Sequence, residues 1–422
     1  MQLPQEFTAY TRALFGETRW ARFEQALQEP PATSVRFNPW KYRGETLFEQ
    51  LTPVPWCQDA YWLPERPDFT LDPLFHAGVY YVQEAGSLFL DHVLRTCVRE
   101  PVLALDLCAA PGGKSTLMRA ALPKGSVLVS NEPDRRRANI LLENMLKQGH
   151  PDVLVTHNYA GDFQKTDWTF DLILTDVPCS GEGLFRKDAG ATDEWSLQNV
   201  HFCQKRQRQI LTDIWGCLRA GGLLIYSTCT FNTHENEENV RFIAQELGAD
   251  ILAVPTQPEW QITGSLLTGW DNPVYRFIPG LTRSEGLFMA VLRKKNTADT
   301  PAKPALLPSA ARKHAQAHRL IHLLSDGIPA FEQKGKEKIP TAAHALSLNA
   351  LPNYPRAELS LEQALRYLHR ESFALTDGTP QGFVVVTYKN YPLGLMKNLG
   401  TRANNLYPKN WSIRFLPPNG KQ

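Results

Sequence analysis

The sequence predicts a doubly wound α/β fold built on a mostly parallel sheet. Three observations predict it. Apolar, strand-like runs recur at residues 102–107, 126–132, 170–176 and 223–227, with helix-patterned stretches between them. The first run ends at a glycine-rich turn, residues 108–114, reading CAAPGGK. The second and third runs end in carboxylates, Glu132 and Asp176, at the end of a parallel sheet where ligands bind.

The elements can be taken in order. Residues 1–75 form a first unit, an α+β extension. Phe7, Tyr10 and Leu14, then Trp20, Phe23 and Leu27, repeat at helical spacing, and residues 34–38 read as a strand closed by Pro39. Short pieces rich in proline and aromatics follow. Residues 76–295 carry the alternating strands and helices. The strand at 223–227 follows a helix expected to stop at Gly221 and Gly222, and a run at 285–292 is expected to close the sheet. Residues 296–319, polar and rich in Pro and Ala, read as a linker. Residues 320–422 form a C-terminal unit. There Ser360 and Gln363 make a capping box, opening a helix with Leu361, Leu365 and Leu368 on one face, and 383–388 is a strand.

The bulk numbers exclude several classes. The 422 residues are 43% hydrophobic with a net charge of +2, an ordinary soluble balance in which any nucleic-acid surface must be a local basic patch. No run of 18 apolar residues occurs, so no membrane span is expected. Residues 1–8 lack a charged and an apolar region, so no secretory leader is expected. Seven scattered cysteines without a CxxC pair argue for reduced thiols in the cytoplasm, not for disulfides or structural zinc, and no metal is expected.

Gly112, Gly113, Lys114 and Ser115 imitate the end of a phosphate-binding loop, but that motif requires glycine where Cys108 stands. A nicotinamide dinucleotide would need a GxGxxG turn, which is absent. A glycine turn also lets backbone approach an adenosine-type ligand, and Glu132 is placed for ribose hydroxyls. S-adenosylmethionine, which has no phosphate, suits that pair.

Cys179, in residues 176–181 (DVPCSG), and Cys229, in 227–230 (STCT), lie near the carboxyl ends of two of these strands. A thiolate can add to C6 of a pyrimidine and make C5 nucleophilic enough to accept a methyl group. Pro178-Cys179 alone does not say which thiol attacks. Residues 176–179 lack the second proline and aromatic residue of the amino-methylating tetrad, which disfavours methylation at an exocyclic nitrogen.

With these motifs the sequence resembles the Sun/Fmu-type RNA cytosine-5 methyltransferases, in particular their bacterial ribosomal-RNA, small-subunit methyltransferase F-like branch. The resemblance rests on residues 76–87 (HAGVYYVQEAGS), CAAPGGK, residues 176–183 (DVPCSGEG), residues 226–230 (YSTCT) and Asn236 to Val240 (NEENV). It implies a Rossmann-like S-adenosylmethionine-dependent methyltransferase core, an N-terminal RNA-binding extension and a C-terminal PUA-like α+β module. Cys108, Ala109, Ala110, Pro111, Gly112, Gly113 and Lys114 would line the cofactor, Glu132 would hold its ribose, and Arg137 matches a family arginine one helical turn on. Asp176 would lie between cofactor and base. Cys229 would be the nucleophile, Cys179 would assist release, and Lys187 matches a lysine near the base. The family usually has Asp where Tyr159 stands, which leaves the adenine contact open, with Asp162 as a candidate substitute. In the C-terminal unit, Lys389, Lys397, Arg402, Lys409 and Arg414 among Tyr388, Tyr391, Tyr407 and Trp411 would suit RNA-backbone neutralisation and base stacking. The implied partner is RNA, ribosomal or within a ribosomal subunit. A tRNA substrate, or a non-catalytic RNA-binding assembly factor, is the alternative.

Overall fold

The computed structural model describes residues 3–296, 307–317, 319–348 and 354–416. Most of the expected linker's proline- and alanine-rich stretch therefore lies outside the described residues.

The chain opens with α1 (Gln5–Phe15) and α2 (Glu17–Ala26), split at Gly16, whose φ of 74° no helix continues. Four short strands follow: β1 (Ser34–Phe37), β2 (Thr52–Pro53), β3 (Ala60–Trp62) and, after α3 (Pro73–His76), β4 (Tyr80–Val82). They form one antiparallel sheet in the order β2-β3-β1-β4.

The core alternates as expected. In order it is α4 (Phe89–Cys97), β5 (Leu103–Asp106), α5 (Gly113–Ala121), β6 (Val127–Asn131), α6 (Arg135–Gln148), β7 (Val153–Thr156), α7 (Ala160–Gln164), β8 (Phe170–Asp176), α8 (Ala189–Glu194), α9 (Leu197–Trp215), β9 (Leu218–Thr228), α10 (Glu237–Gln245), β10 (Ala249–Leu252), β11 (Tyr275–Phe277) and β12 (Leu287–Lys294). After α11 (Ala311–Ala317) comes β13 (Leu323–Ser325), which pairs antiparallel with β7. The sheet order is β10-β12-β9-β8-β5-β6-β7-β13, with β5 to β9 parallel and β11 paired to β12. Alternation along each strand feeds two helical layers. Ala104, Leu172 and Leu174 pack with Leu117 and Leu141 on one face. Leu105, Ile173 and Leu224 pack with Leu211, Ile214 and Ile243 on the other.

Three expectations change here. Gly221 and Gly222 do not stop a helix: α9 ends at Trp215, and the glycines lie inside β9, beside a register shift against β8. A bulge tolerates glycine as readily as a cap does. The run at 285–292 does not close the sheet, because β10 pairs outside β12. In the C-terminal unit, several aromatics taken for base-stacking surfaces are core residues.

That unit comprises β14 (Phe331–Lys334), β15 (Glu337–Pro340), α12 (Ala342–Leu346), β16 (Arg356–Glu358), α13 (Leu361–Leu368), β17 (Gly382–Tyr388), β18 (Tyr391–Asn398) and β19 (Ala403–Asn405). The capping box forms: Ser360 Oγ accepts from Gln363 N, and Gln363 Oε1 from Ser360 N. Leu365 and Leu368 are buried, but Leu361, in the first turn, is exposed. Tyr391, Tyr407 and Trp411 are buried and join Val35 and Phe37 of the N-terminal sheet, and Phe69 beside it, in one continuous core. Lys389, Arg402, Lys409 and Arg414 stay exposed. No described helix is long and apolar enough to cross a membrane.

Candidate active site

In the sheet order β8-β5-β6, the connection after β5 turns one way and that before β8 arrives from the other. This switch point opens a crevice beyond the strand ends, where ligands of such sheets bind. Residues 108–114 leave β5 into that crevice. Gly112, at φ 118°, caps α5 in a conformation other residues rarely adopt. Arg36 of the N-terminal sheet supports the turn behind it, donating to Gln83 Oε1 at 3.2 Å and Thr116 Oγ1 at 2.8 Å.

Three carboxylates surround the turn. Asp106 is fully buried and accepts from Ser115 Oγ at 2.6 Å, while its Oδ1 has no partner, and burial pushes its pKa up to about 7. Glu132 accepts from Ala110 N (3.3 Å) and Asp134 N (3.1 Å), with Arg137 Nη1 at 3.6 Å. Arg137 also donates to Ala110 O at 2.9 Å, so it ties loop and carboxylate together. Burial, then the charges of Glu132, Asp106 and Asp176, push the Cys108 thiol well up. Three carboxylates would repel a triphosphate, but they suit the hydroxyls and cationic groups of S-adenosylmethionine.

Asp176 ends β8. It accepts from Lys114 Nζ on Oδ2 at 2.8 Å and from Ser227 Oγ on Oδ1 at 2.7 Å, so it is fixed between the turn and β9. Burial opposes the charged form of Lys114, but the Asp176 carboxylate outweighs it, and the net shift is upward.

Just beyond these strand ends, Cys179 Sγ lies 3.2 Å from Cys229 Sγ. That is thiol contact, not a disulfide, and all seven cysteines are free. The hydrogen bond with Cys229, then burial, pushes the Cys179 thiol well up. The two cysteine loops are laced together. Glu182 accepts from Phe231 N, Asn232 N (3.1 Å), Asn232 Nδ2 (2.9 Å) and Trp195 Nε1 (3.0 Å). Gly183 N donates to Cys229 O at 2.7 Å. Phe7, Phe15 and Phe23 of α1 and α2 pack on Phe185, Trp195 and Phe231, so the N-terminal helices buttress both loops.

Among the remaining expected residues, Lys187 is exposed, one residue beyond Arg186, whose guanidinium bonds Glu285 at 2.9 Å and the α2 carbonyl of Ala26 at 2.8 Å. Tyr159 is 71% exposed, and Asp162 accepts from Tyr159 N at 3.0 Å as a helix cap, so neither is aimed at the loop by any hydrogen bond described. No group of three or more His, Cys, Asp and Glu suited to a metal occurs among the described residues.

Comparison with known proteins gives the family of the chain. Residues 96–293 match the family model described as 16S rRNA methyltransferase RsmB/F. Residues 3–85 match the N-terminal domain of 16S rRNA methyltransferase RsmF, and residues 354–413 the methyltransferase RsmF PUA domain. The ribosomal RNA small subunit methyltransferase F of Shewanella oneidensis is 30% identical over 444 residues, covering 92% of each chain. The chain belongs to the ribosomal RNA small subunit methyltransferase F family. The counterpart of Enterobacter sp. (strain 638) is 29% identical, covering 96% of this chain and 95% of its own. A solved methyltransferase homolog protein from Pyrococcus horikoshii shares the fold at a TM-score of 0.59 and 26% identity, covering 69% of this chain and 95% of that one. The resemblance to Sun/Fmu-type enzymes therefore holds, and the protein is an S-adenosylmethionine-dependent RNA methyltransferase.

Glu182, Glu235 and Gln207 around the methyltransferase thiols were not legible as site residues. Glu182 stands inside DVPCSGEG and Glu235 directly before the NEENV segment, but a lone acidic residue ordinarily faces solvent, and only the packing shows both to be buried.

Proposed function

We propose that this methyltransferase acts on C5 of a cytosine in small-subunit ribosomal RNA, free or within a ribosomal subunit in the cytoplasm, through a covalent bond from Cys229 to C6. The observation that carries this reading is the Cys179–Cys229 pair, 3.2 Å apart beside Asp176. Residues 108–114, Glu132 and Arg137 would hold S-adenosylmethionine, which would supply an electrophilic methyl group, its sulfonium sulfur keeping the bonding pair and leaving as a neutral thioether. The base must leave its stack to reach the thiols. Asp176, an acceptor fixed by Lys114 and Ser227, receives the cytosine amino group. The Cys229 thiolate adds to C6, and the displaced ring electrons make C5 the nucleophile that forms the new carbon–carbon bond. In release, the C5 proton passes to water and its electron pair re-forms the C5–C6 double bond. The sulfur–C6 bond breaks, its pair returns to Cys229, and Cys179, kept protonated, donates to that sulfur. Lys187, exposed beside the same loop, serves the RNA near the base.

The test is Cys179→Ala expressed in cells. Protein–RNA adducts surviving denaturation should accumulate, and sequencing their RNA should name a small-subunit cytosine. Adding Cys229→Ala should abolish the adduct. An adduct that survives Cys229→Ala would make Cys179 the nucleophile and overturn the assignment.

A further inference from the structure

We propose that Glu235 is a positioning residue for release: it fixes Cys179 at contact distance from Cys229 without touching the base. This rests on the roles given above to the two thiols.

Glu235 is fully buried between β9 and α10. Its Oε2 accepts from Ser180 N at 3.0 Å and Gln207 Nε2 at 2.7 Å. Its Oε1 accepts from Ser180 Oγ and from Asn232 Nδ2 at 2.9 Å. The same Gln207 amide donates to Pro178 O at 2.9 Å. Cys179 is therefore clamped on both sides, at the carbonyl before it and at the amide after it. Asn232 Nδ2 also donates to Glu182 Oε1 at 2.9 Å, and Glu182 holds the backbone just after Cys229. One carboxylate thus registers the Cys179 loop against the Cys229 loop.

The chemistry requires a carboxylate. Each oxygen faces two donors, and a carboxylate accepts on both oxygens. A glutamine in either orientation sets an N–H₂ group against a donor, Ser180 N and Gln207 Nε2 on one side or Asn232 Nδ2 on the other. The mismatch is buried and cannot be relieved by water. Set against Ser180 N, the mismatch moves the neighbouring Cys179; set against Asn232, it loosens the link from Glu235 to Glu182. In both, Cys229 follows directly on Thr228, which stays paired with Phe288 of β12. Attack by Cys229 is spared, and release, which needs the Cys179 proton, is not.

The experiment uses full-length Glu235→Gln, unmodified transcribed small-subunit ribosomal RNA and methyl-labelled S-adenosylmethionine, in single turnover. It reads label entering the denaturation-resistant adduct and label leaving it as free RNA. Release should slow by roughly tenfold or more, with adduct formation within about threefold of wild type. A merely structural role would slow both steps together, and that result, or unchanged release, overturns the proposal. Cys179→Ala is run beside it. If that variant accumulates no adduct, the reading of the thiols fails. If it does and Glu235→Gln does not, only the positioning role fails. Should Glu235→Gln not fold, Ser180→Ala, which removes one donor and leaves the carboxylate, carries the test. Slower release with unchanged attack supports the proposal, and wild-type release overturns it.

Discussion

Gly183→Ala should disable the enzyme while leaving it folded. A Cβ on Gly183 would lie 2.7 Å from Cys229 O, and 3.3 Å from both Glu285 O and Gly286 O. All three are backbone atoms, so no side chain can swing aside. Reaching an ordinary contact of about 3.4 Å from 2.7 Å requires a shift of about 0.7 Å at the Cys229 carbonyl. Thr228 is held in the β9–β12 ladder opposite Phe288, so the 179–183 loop must take much of that shift. A misplacement near 1 Å costs roughly 100-fold in rate, so a loss of about 10- to 100-fold in kcat is expected. Overpacking of this kind costs about 1–3 kcal/mol, tolerable for a chain of this size. Methyl incorporation at saturating RNA, beside a thermal melt, measures both. A variant within about twofold of wild-type kcat would show that the two loops are not rigidly registered, and the reasoning would fail.

Phe7→Ala removes a fully buried ring that meets Phe185 at 5.0 Å and Trp195 at 5.4 Å; denaturant unfolding should show a loss of about 3–5 kcal/mol, with kcat reduced. Weaker RNA binding with stability unchanged would instead confine the N-terminal helices to binding. His76 is held neutral, its pKa lowered to about 4 by burial and then by the Lys147 charge. The unfolded chain takes up that proton first, so stability present above the ordinary histidine pKa is lost as pH falls toward about 4, at up to about 1.4 kcal/mol per pH unit. The unfolding free-energy gap between wild type and His76→Phe should therefore move against wild type across that window, and a constant gap refutes the assignment. Ser360→Ala should cost about 1 kcal/mol through the lost cap on α13 and leave kcat unchanged. An activity loss there would reveal coupling between the C-terminal unit and the thiols.

The parallel core was legible because strands covered on both faces read as continuous apolar runs, as 103–106 and 170–176 do. The candidate site was legible where it depends on rare residue types in fixed order, such as the glycine turn and the two cysteines that the fold brings into contact. What escaped has a common cause. β10 and β13 are short edge strands with half-exposed residues and little apolar pattern. Gly221 and Gly222 suit a helix stop and a bulged strand equally, and only pairing with β8 decides. Tyr391, Tyr407 and Trp411 looked like a nucleic-acid surface because aromatics near lysines fit that role, and the N-terminal sheet that buries them is remote in sequence. Glu182 and Glu235 become buried site residues only once two loops some 50 residues apart meet.

The pairing of β13 with β7 bears on synthesis. The outer edge of the catalytic sheet is completed by Leu323 opposite Thr156, by His157 N donating to His322 O at 2.9 Å, and by Asn158 Nδ2 reaching Leu320 O at 2.8 Å. Once the chain has been made as far as Lys294 and before residues 323–325 follow, every other strand of that sheet has been synthesised, and β7 is left as an open hydrogen-bonding edge. Nascent chains on one polysome carry identical open edges side by side, which is the arrangement that favours strand exchange between copies. A fragment ending near residue 295 would keep that edge permanently, so a self-contained catalytic piece has to extend beyond Ser325.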